Sequence, residues 1–206
     1  MSQPGLSPPY PIEQILIACA LKAELGVLRA CLSEDLQFLW TGLGWNRSQR
    51  RLDQWVRDRR PAAILFGGTA GQLDPRVEAG TVIFPDRWCC GDGRCWEQSS
   101  QLTRFLATRG FPTRGVGLTV SRPVVRARTR LRLHARTGAL ICDMESAGIL
   151  AAAGELQIPT LALKVVSDTA DTGIAGYWRD FHTNMQRLGE YLEQMVRLIS
   201  TQERST

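Results

Sequence analysis

The sequence has no apolar run approaching the roughly twenty residues that a helix needs to cross a bilayer. It also begins without a signal peptide, because Met1 to Pro11 is rich in Ser, Pro and Gly and lacks a charged segment followed by an apolar one. These absences favour a soluble, cytoplasmic protein. The Ser, Pro and Gly content of the start of the chain predicts a flexible tail over residues 1–14. A length of 206 residues with 44% hydrophobic side chains suits one core, so we expect a single domain over residues 15–206.

Lysine is nearly missing, since Lys22 and Lys164 are the only lysines among 25 Lys and Arg residues. The net charge of +5 and the pI near 9.1 are therefore due to arginine. The arginines of residues 57–60 and 122–136 are mixed with apolar residues and lack interleaved aromatic side chains. This pattern favours solvated basic faces over a nucleic-acid groove, and we expect no nucleic-acid partner.

The six cysteines lack CxxC spacing and have no nearby histidine, so we expect no metal site. In a chain without a signal peptide they also indicate reduced thiols rather than a disulfide framework. Three of them fall in apolar stretches and are expected to be small core residues: Cys19, Cys31 and Cys142. The other three fall in a segment, residues 88–96, that we predict to be a loop and to which no role is assigned: Cys89, Cys90 and Cys95.

Apolar runs and helical patterns alternate along the chain. Buried strands are predicted over residues 15–20, 36–41, 62–66, 81–84, 113–120, 139–142 and 161–166. Helices are predicted over residues 21–32, 48–59, 101–108, 126–136, 147–158 and 178–200, the last with an apolar stripe suited to the core or to an oligomer contact. This alternation predicts a single α/β domain with a mostly parallel or mixed twisted sheet flanked by helices.

Acidic residues stand where several predicted strands end. Glu145 and Asp168 follow two strands joined by one helix, and a right-handed crossover would bring both acids to one edge of one sheet. Glu24 follows the first strand, where it either stabilises the start of a helix or points at the same edge. The glycines of residues 67–71 would let a backbone approach a ligand closely. Three carboxyl groups and a glycine loop suit acid-assisted bond cleavage in a small polar substrate.

Four motifs occur in a recognisable order and spacing. They are Ala20-Leu21-x-x-Glu24; Gly68-Thr69-Ala70-Gly71 with Pro75 and Gly80-Thr81-Val82; Asp143-Met144-Glu145-Ser146; and Ser167-Asp168. In these motifs the chain, from Ile15 onward, resembles the purine nucleoside phosphorylase and nucleosidase superfamily, particularly its methylthioadenosine/S-adenosylhomocysteine nucleosidase branch. The resemblance implies a nucleoside phosphorylase-like domain that cleaves the N-glycosidic bond between ribose and a purine.

The resemblance also implies a role for each matched residue. Asp168 would protonate or hydrogen-bond N7 of the purine as the base leaves, and Ser167 would orient Asp168. Glu145 would hold ribose hydroxyls, with Met144 packed against the sugar. Glu24 would position or activate an attacking water. Further substrate contacts would come from the glycine loop, through Thr69, Ala70 and Gly71.

One element departs from the nucleosidase pattern. Nucleosidases of this type carry Gly-Asp-x-Phe after the strand that ends near Ser121, whereas this chain has Ser121-Arg122-Pro123-Val124-Val125. Val124 and Val125 would then supply apolar walls and backbone groups for the base. This element, with Thr137-Gly138-Ala139 before Asp-Met-Glu-Ser, is similar to the hopanoid-associated phosphorylase branch, which is implicated in removing adenine from an adenosyl-hopanoid lipid.

The nucleophile stays open at the level of the sequence. Hexameric phosphorylases bind phosphate with an arginine three residues before the loop Ser/Thr, and that position here is Phe66. The absence of this arginine favours water as the nucleophile, while the hopanoid-type resemblance favours phosphate held by Lys22, Arg47 or another arginine. We expect no cofactor, with inorganic phosphate as the alternative co-substrate, and a homodimer or higher homo-oligomer. The rival hypothesis is a non-catalytic nucleoside-binding module on the same fold.

Overall fold

A computed structural model describes residues 8–169 and 173–201 of the chain, without the side chains of residues 173–176 and 201. Its strands are β1 (Tyr10–Pro11), β2 (Ile15–Cys19), β3 (Gln37–Trp40), β4 (Ala63–Phe66), β5 (Thr69–Gln72), β6 (Val82–Ile83), β7 (Arg87–Cys90), β8 (Cys95–Glu97), β9 (Val116–Thr119), β10 (Ala139–Asp143), β11 (Thr160–Ala162), β12 (Lys164–Asp168) and β13 (Ser200–Thr201). Its helices are α1 (Lys22–Cys31), α2 (Trp45–Asp58), α3 (Ser100–Ala107), α4 (Ala127–Thr137), α5 (Ser146–Glu155) and α6 (Gly173–Ile199), with a short 3-10 helix at Ile12–Gln14.

The structure contains both parallel and antiparallel strand pairs, as predicted for a mostly parallel or mixed sheet. A four-stranded sheet has the order β11-β4-β2-β3 and is parallel throughout. A seven-stranded sheet has the order β6-β12-β5-β10-β9-β7-β8 and contains both parallel and antiparallel pairs. Backbone hydrogen bonds from Leu163 to Phe66 and from Val165 to Gly68 join the two sheets where the chain passes from one to the other. This curled sheet between helices confirms the predicted single α/β domain.

The predicted crossover is wrong in its topology. The run at residues 161–166 is two strands, because Leu163 separates β11 of the four-stranded sheet from β12 of the seven-stranded sheet. The helix α5 therefore leads to the other sheet. In addition, β10 and β12 run in opposite directions on either side of β5, which is antiparallel to β10 and parallel to β12. The acids still converge because Cys142 and Asp168 both pair with Gly71 of this central strand.

Two hydrophobic clusters cover the two faces of the sheet. Along β2, Ile15 and Ile17 belong to the cluster packed by α1, α3 and α6, while Leu16 and Ala18 belong to the cluster packed by α2 and α5. Burial on both faces explains the continuous apolar run that predicted this strand. The apolar stripe of α6 lies in the first cluster, so it is a core element. Among the described residues no helix is both long and apolar enough to span a bilayer.

Residues 10–14, which were predicted as part of the flexible tail, belong to the folded part of the chain. Tyr10 is fully buried in the first cluster, and β1 pairs in parallel with β13, with Tyr10 opposite Ser200. Residues 12–14 form the 3-10 helix that leads into β2. Residues 1–7 of the predicted tail lie outside the described part of the chain.

The predicted loop at residues 88–96 is a β-hairpin. Its strands β7 and β8 are antiparallel, with Trp88 opposite Trp96, and Cys89 forms a disulfide with Cys95. The expectation that all six cysteines are reduced thiols is therefore wrong for this pair. The two strands are only four and three residues long, so too few residues alternate to mark them in the sequence. Cys19 and Cys142 are free and buried, as predicted, and Cys31 is half-buried against the core.

Candidate active site

A pocket of about 410 Å³ opens where the ends of β10 and β12 flank β5, a size typical of small-molecule sites. Every residue that the sequence singled out for catalysis or substrate binding lines it: Glu24, Thr69, Ala70, Gly71, Val124, Val125, Met144, Glu145, Ser167 and Asp168. The structure thus brings these residues together. Their chemical roles stay predictions.

Glu24 joins α1 to the central strand. Its Oε2 accepts a hydrogen bond from the Leu21 N–H at 2.9 Å, which caps α1, while Oε1 accepts from the Thr69 N–H at 2.9 Å and the Thr69 hydroxyl at 2.8 Å. Both expectations for this residue therefore hold, because it stabilises a helix start and also reaches the site. Gly68, at φ +154°, permits this approach: a Cβ there would lie 3.1 Å from both Glu24 Oε1 and Lys164 Nζ.

A buried ion pair joins the lining residue Asp143 to Lys164. Lys164 is 1% exposed, and its Nζ lies 3.3 Å from Asp143 Oδ2 and 4.0 Å from the centroid of the Phe66 ring. Asp143 also accepts hydrogen bonds from the Thr119 hydroxyl at 2.8 Å and from the Ser146 N–H at 3.0 Å. These contacts fix the turn between β10 and α5. Asp143 is therefore the anchor that holds its neighbour Glu145 in place.

Glu145 is a buried carboxyl group of the pocket with an altered proton affinity. It is 4% exposed, and its Oε1 accepts a hydrogen bond from the Gly44 N–H at 2.7 Å. Burial, assisted by the nearby Asp143 carboxylate, raises the pKa of Glu145 from an ordinary 4.5 to about 7, although Lys164 and the Gly44 N–H oppose the rise. Gly44 can turn toward Glu145 because it adopts φ +86° at the start of α2.

Asp168 has donors on both oxygens. Its Oδ1 lies 2.7 Å from the Ser167 hydroxyl, and its Oδ2 forms a salt bridge with Nη2 of Arg130. The other terminal nitrogen of Arg130 donates to the carbonyl oxygens of Asp168 at 3.1 Å and Gln72 at 3.2 Å. The Arg130 side chain is 3% exposed, and its guanidinium packs against Gly71, whose missing side chain leaves room for it. The site thus separates its carboxyl groups by environment, with an arginine at Asp168 and desolvation at Glu145.

The remaining walls are apolar or aromatic. Tyr177 and Trp178 of α6 line the pocket, and the Tyr177 side chain is in hydrogen-bond contact with Thr69. Trp178 is 68% exposed at the mouth. The other apolar lining residues come from the loop before α2, the end of β9 and the segments that follow β9 and β10: Leu43, Val120, Pro123, Val124, Val125 and Met144.

Arg130 was missed because the arginines of α4 were interpreted together as a solvated basic face. That interpretation holds for Arg128 and Arg132, which are exposed, and is wrong for Arg130. A signal was available in the helical spacing, since Arg130 shares one side of α4 with Leu133 and Thr137. An arginine in an inward-facing position indicates a buried acidic partner.

Three further lining or supporting residues were missed. Lys164 interrupts an otherwise apolar strand, and a charge in such a position indicates a buried counter-ion, a signal that the sequence contains. Tyr177 and Trp178 precede the apolar stripe of α6, and Trp178 fell within the predicted helix without a role. The helix α6 begins at Gly173, five residues before the predicted helix at residues 178–200.

Within the described ranges, no group of three or more His, Cys, Asp and Glu side chains is arranged to hold a metal ion. The carboxyl groups of the pocket are instead held by protein donors, as at Glu24, Glu145 and Asp168.

Comparison with known proteins gives a family match over part of the chain. The family model of the phosphorylase superfamily matches residues 111–200, which include the Asp-Met-Glu-Ser and Ser-Asp motifs. No curated protein sequence matches the chain significantly. The match spans 90 of the 206 residues, fewer than half of the chain.

Three solved structures illustrate the likeness. The 5′-methylthioadenosine/S-adenosylhomocysteine nucleosidase of Helicobacter pylori aligns with a TM-score of 0.80 at 14% identity, over 89% of this chain and 97% of that one. Futalosine hydrolase of Helicobacter pylori gives a TM-score of 0.78 at 15% identity, over 89% and 97%. S-adenosylhomocysteine nucleosidase of Streptococcus pyogenes gives 0.78 at 18% identity, over 91% and 97%. At these identities the likeness establishes the fold.

Proposed function

We propose that this protein is an enzyme that cleaves the N-glycosidic bond of a purine nucleoside or adenosyl substrate and releases the base. The observation that carries the proposal is one pocket in which Glu24, Glu145 and Asp168 occupy three different electrostatic environments. Acid–base cleavage needs carboxyl groups whose protonation differs. The phosphorylase superfamily match and the nucleosidase fold support the same reaction class.

In the proposed reaction the bond between ribose C1′ and the base breaks, and its electron pair goes to the base. Asp168 supplies a proton or a hydrogen bond at N7, which makes the purine a better leaving group. Glu145 holds the ribose hydroxyls. Glu24 orients the nucleophile, whose oxygen bonds to C1′ as the base leaves; where the nucleophile is water, its proton passes to Glu24. Oε1 of Glu24 already accepts two hydrogen bonds, whereas Oε2, among the described residues, accepts that of the Leu21 N–H and keeps capacity for water.

We propose water rather than phosphate as the nucleophile. Four carboxyl groups line the pocket: Glu24, Asp143, Glu145 and Asp168. Among the described lining residues the cation is Arg130, and it is already paired with Asp168. Lys22 and Arg47, the candidate phosphate ligands, instead lie over the Trp40 ring, 4.7 and 5.4 Å from its centroid. An anionic co-substrate would therefore be repelled, while a neutral water is not.

The finer proposal for the substrate is an adenosyl compound with a large apolar 5′ substituent, of which an adenosyl-hopanoid is one example. It rests on the resemblance of residues 121–125 to the hopanoid-associated branch and on the apolar mouth of the pocket. Leu43, Val125 and Trp178 line the pocket and are 54%, 49% and 68% exposed. Such a rim suits a substituent that extends out of the pocket.

The deciding experiment is a product assay on the purified protein. Adenosine, methylthioadenosine and adenosyl substrates with longer apolar 5′ groups are incubated with and without phosphate, and free base and sugar are identified by mass spectrometry. Hydrolysis predicts free ribose-type product in both buffers, whereas phosphorolysis predicts a sugar 1-phosphate that needs phosphate. Asp168→Asn and Glu24→Gln should abolish release, and Asp58→Asn, an exposed carboxyl at the end of α2, is the matched control.

The rival, a non-catalytic nucleoside-binding module, is favoured by one observation. The guanidinium of Arg130 forms a salt bridge with Asp168, the carboxyl group that would supply the proton to the base. This module would bind adenine or adenosine and be stabilised by it without releasing product. A rise in melting temperature with ligand, combined with no base release from any substrate in the panel, would decide for the rival.

We further propose a cytoplasmic homo-oligomer, a dimer or larger. The exposed large apolar side chains Leu43, Val125, Leu131 and Trp178 support a contact between copies near the pocket mouth, since such groups are rarely left in water together. Light scattering coupled to size exclusion measures the molar mass, and a monomer of 22.9 kDa at all concentrations would contradict the proposal.

A further inference from the structure

The hydrogen-bond donor for Glu145 comes from the loop that precedes α2, and two glycines shape this loop. Gly42 and Gly44 adopt φ +84° and +86°. Glycine reaches such angles at no steric cost but reaches many others equally well, so these residues permit the approach of the Gly44 N–H to Glu145 without fixing it. The first end of the loop is held, because the N–H and the hydroxyl of Thr41 donate to the Cys19 carbonyl at 2.9 and 3.1 Å. The other end depends on the residue after Gly44.

Trp45, the first residue of α2, packs on the start of the helix that follows Glu145. Its indole lies against Gly148, where a Cβ would be only 3.0 Å from Cδ2 of Trp45. Gly148 belongs to the first turn of α5, and Glu145 is the N-cap residue of that helix. Trp45 therefore contacts the turn that carries Glu145, while the neighbouring Gly44 N–H binds the Glu145 carboxyl at 2.7 Å. One side chain thus fixes the donor relative to its acceptor.

The hairpin of β7 and β8 supports Trp45 from the other side. The ring of Trp96 on β8 meets the ring of Trp45 edge to face, with 5.1 Å between the centroids and 62° between the planes. The Arg94 guanidinium lies 5.5 Å from the Trp96 ring and 6.0 Å from the Trp45 ring. The position of Trp96 is held by the pairing of β8 with β7 and by the Cys89–Cys95 disulfide. Trp45 is therefore enclosed between α5 and the hairpin.

We propose that Trp45 is a positioning residue for ribose recognition, because it holds the Gly44 N–H against Oε1 of Glu145 and so directs the carboxyl group toward the ribose hydroxyls. This inference rests on the proposed function, in which Glu145 holds those hydroxyls. Among the described residues, Oε1 accepts the Gly44 hydrogen bond and Oε2 keeps its capacity for a hydroxyl. Trp45 is not one of the described residues that line the pocket, so it acts through Gly44 and the start of α5.

The test compares kcat/KM for adenosine and for 2′-deoxyadenosine in the wild type and in variants of α2. The intrinsic reactivity of the two substrates cancels when the ratio of their kcat/KM values is compared between variants. A typical hydrogen bond corresponds to about a fivefold change, so Trp45→Leu should lower the adenosine to 2′-deoxyadenosine ratio about fivefold, mainly by raising KM for adenosine. Trp45→Phe keeps an aromatic ring and should recover most of the ratio. Trp55→Leu, a change in the same cluster and helix, is the matched control and should keep the wild-type ratio.

An equal loss of activity on both substrates in Trp45→Leu would show a merely structural role and would overturn the inference. A second readout needs no substrate, because NMR measures hydrogen exchange at the Gly44 amide directly. Exchange should be about tenfold faster in Trp45→Leu and unchanged in Trp55→Leu. If Trp45→Leu does not fold, Trp96→Leu removes the ring behind Trp45 and should shift both readouts in the same direction. Unchanged protection of the Gly44 amide would overturn the inference. Absence of base release from every substrate would overturn the proposed function alone, and the amide exchange would then decide the inference.

Discussion

Replacing Glu145 by glutamine should stabilise the protein at neutral and alkaline pH. Burial and the Asp143 carboxylate raise the pKa of Glu145 from 4.5 to about 7 in the folded state. Between these values the folded chain keeps a proton that the unfolded chain has released, so wild-type stability falls as pH rises through this window and levels off above it. Each pH unit between these two pKa values lowers the free energy of unfolding by about 1.4 kcal/mol. The wild type is therefore less stable above pH 7 than near pH 4.5 by about 3 kcal/mol.

Glutamine is neutral at every pH and can keep the acceptor for the Gly44 N–H, so the variant avoids the burial of a charge. Urea unfolding of the wild type and of Glu145→Gln should give similar stabilities near about pH 4.5 and a variant more stable by about 3 kcal/mol near about pH 8. Glu155→Gln changes an exposed carboxyl at the end of the same helix and should show no such gain. A Glu145→Gln variant no more stable than the wild type at about pH 8, or a gain independent of pH, would refute the reasoning.

Three further predictions concern the surroundings of the site. Lys164→Met leaves the buried Asp143 without its cation and should lower the free energy of unfolding by about 3–5 kcal/mol in urea, with Lys164→Arg losing clearly less. Gly68→Ala places a Cβ 3.1 Å from Lys164 Nζ at φ +154° and should destabilise by about 1–3 kcal/mol, unlike Gly91→Ala, whose Cβ meets nothing within 4 Å. Trp178→Ala should raise KM several-fold for substrates with long apolar 5′ groups and leave that for adenosine nearly unchanged; equal effects on both would contradict an apolar subsite at the mouth.

The strands and the membership of the site were predictable because their signals are local. A strand buried on both faces, such as β2, is apolar at every position, and short motifs mark the points where strands end. Thr69, Glu145 and Asp168 could be assigned to one site from the sequence, although each belongs to a different part of the chain. Glu24 was found by the same reasoning.

Partners at long sequence separation could not be predicted in this way. The salt bridge between Arg130 and Asp168 joins residues 38 apart, and the ion pair between Asp143 and Lys164 depends on two strands that are not neighbours in their sheet. The Cys89–Cys95 disulfide depends on the hairpin of β7 and β8, which was predicted to be a loop. The two charge pairs follow from the packing of distant elements, whereas the disulfide, with a sequence separation of 6, follows from the pairing of β7 with β8.

The sequence by itself determined the α/β class, the positions of most strands and helices, and ten of the residues that line the pocket, because hydrophobic periodicity and strand ends are visible in neighbouring residues. Only the tertiary structure decided that Asp168 is paired with Arg130, that Glu145 is desolvated beside Asp143, and that Lys164 stands behind them. The physical reason is that protonation depends on the dielectric surroundings and on the nearest charges. Both are set by packing between elements that lie far apart in the chain.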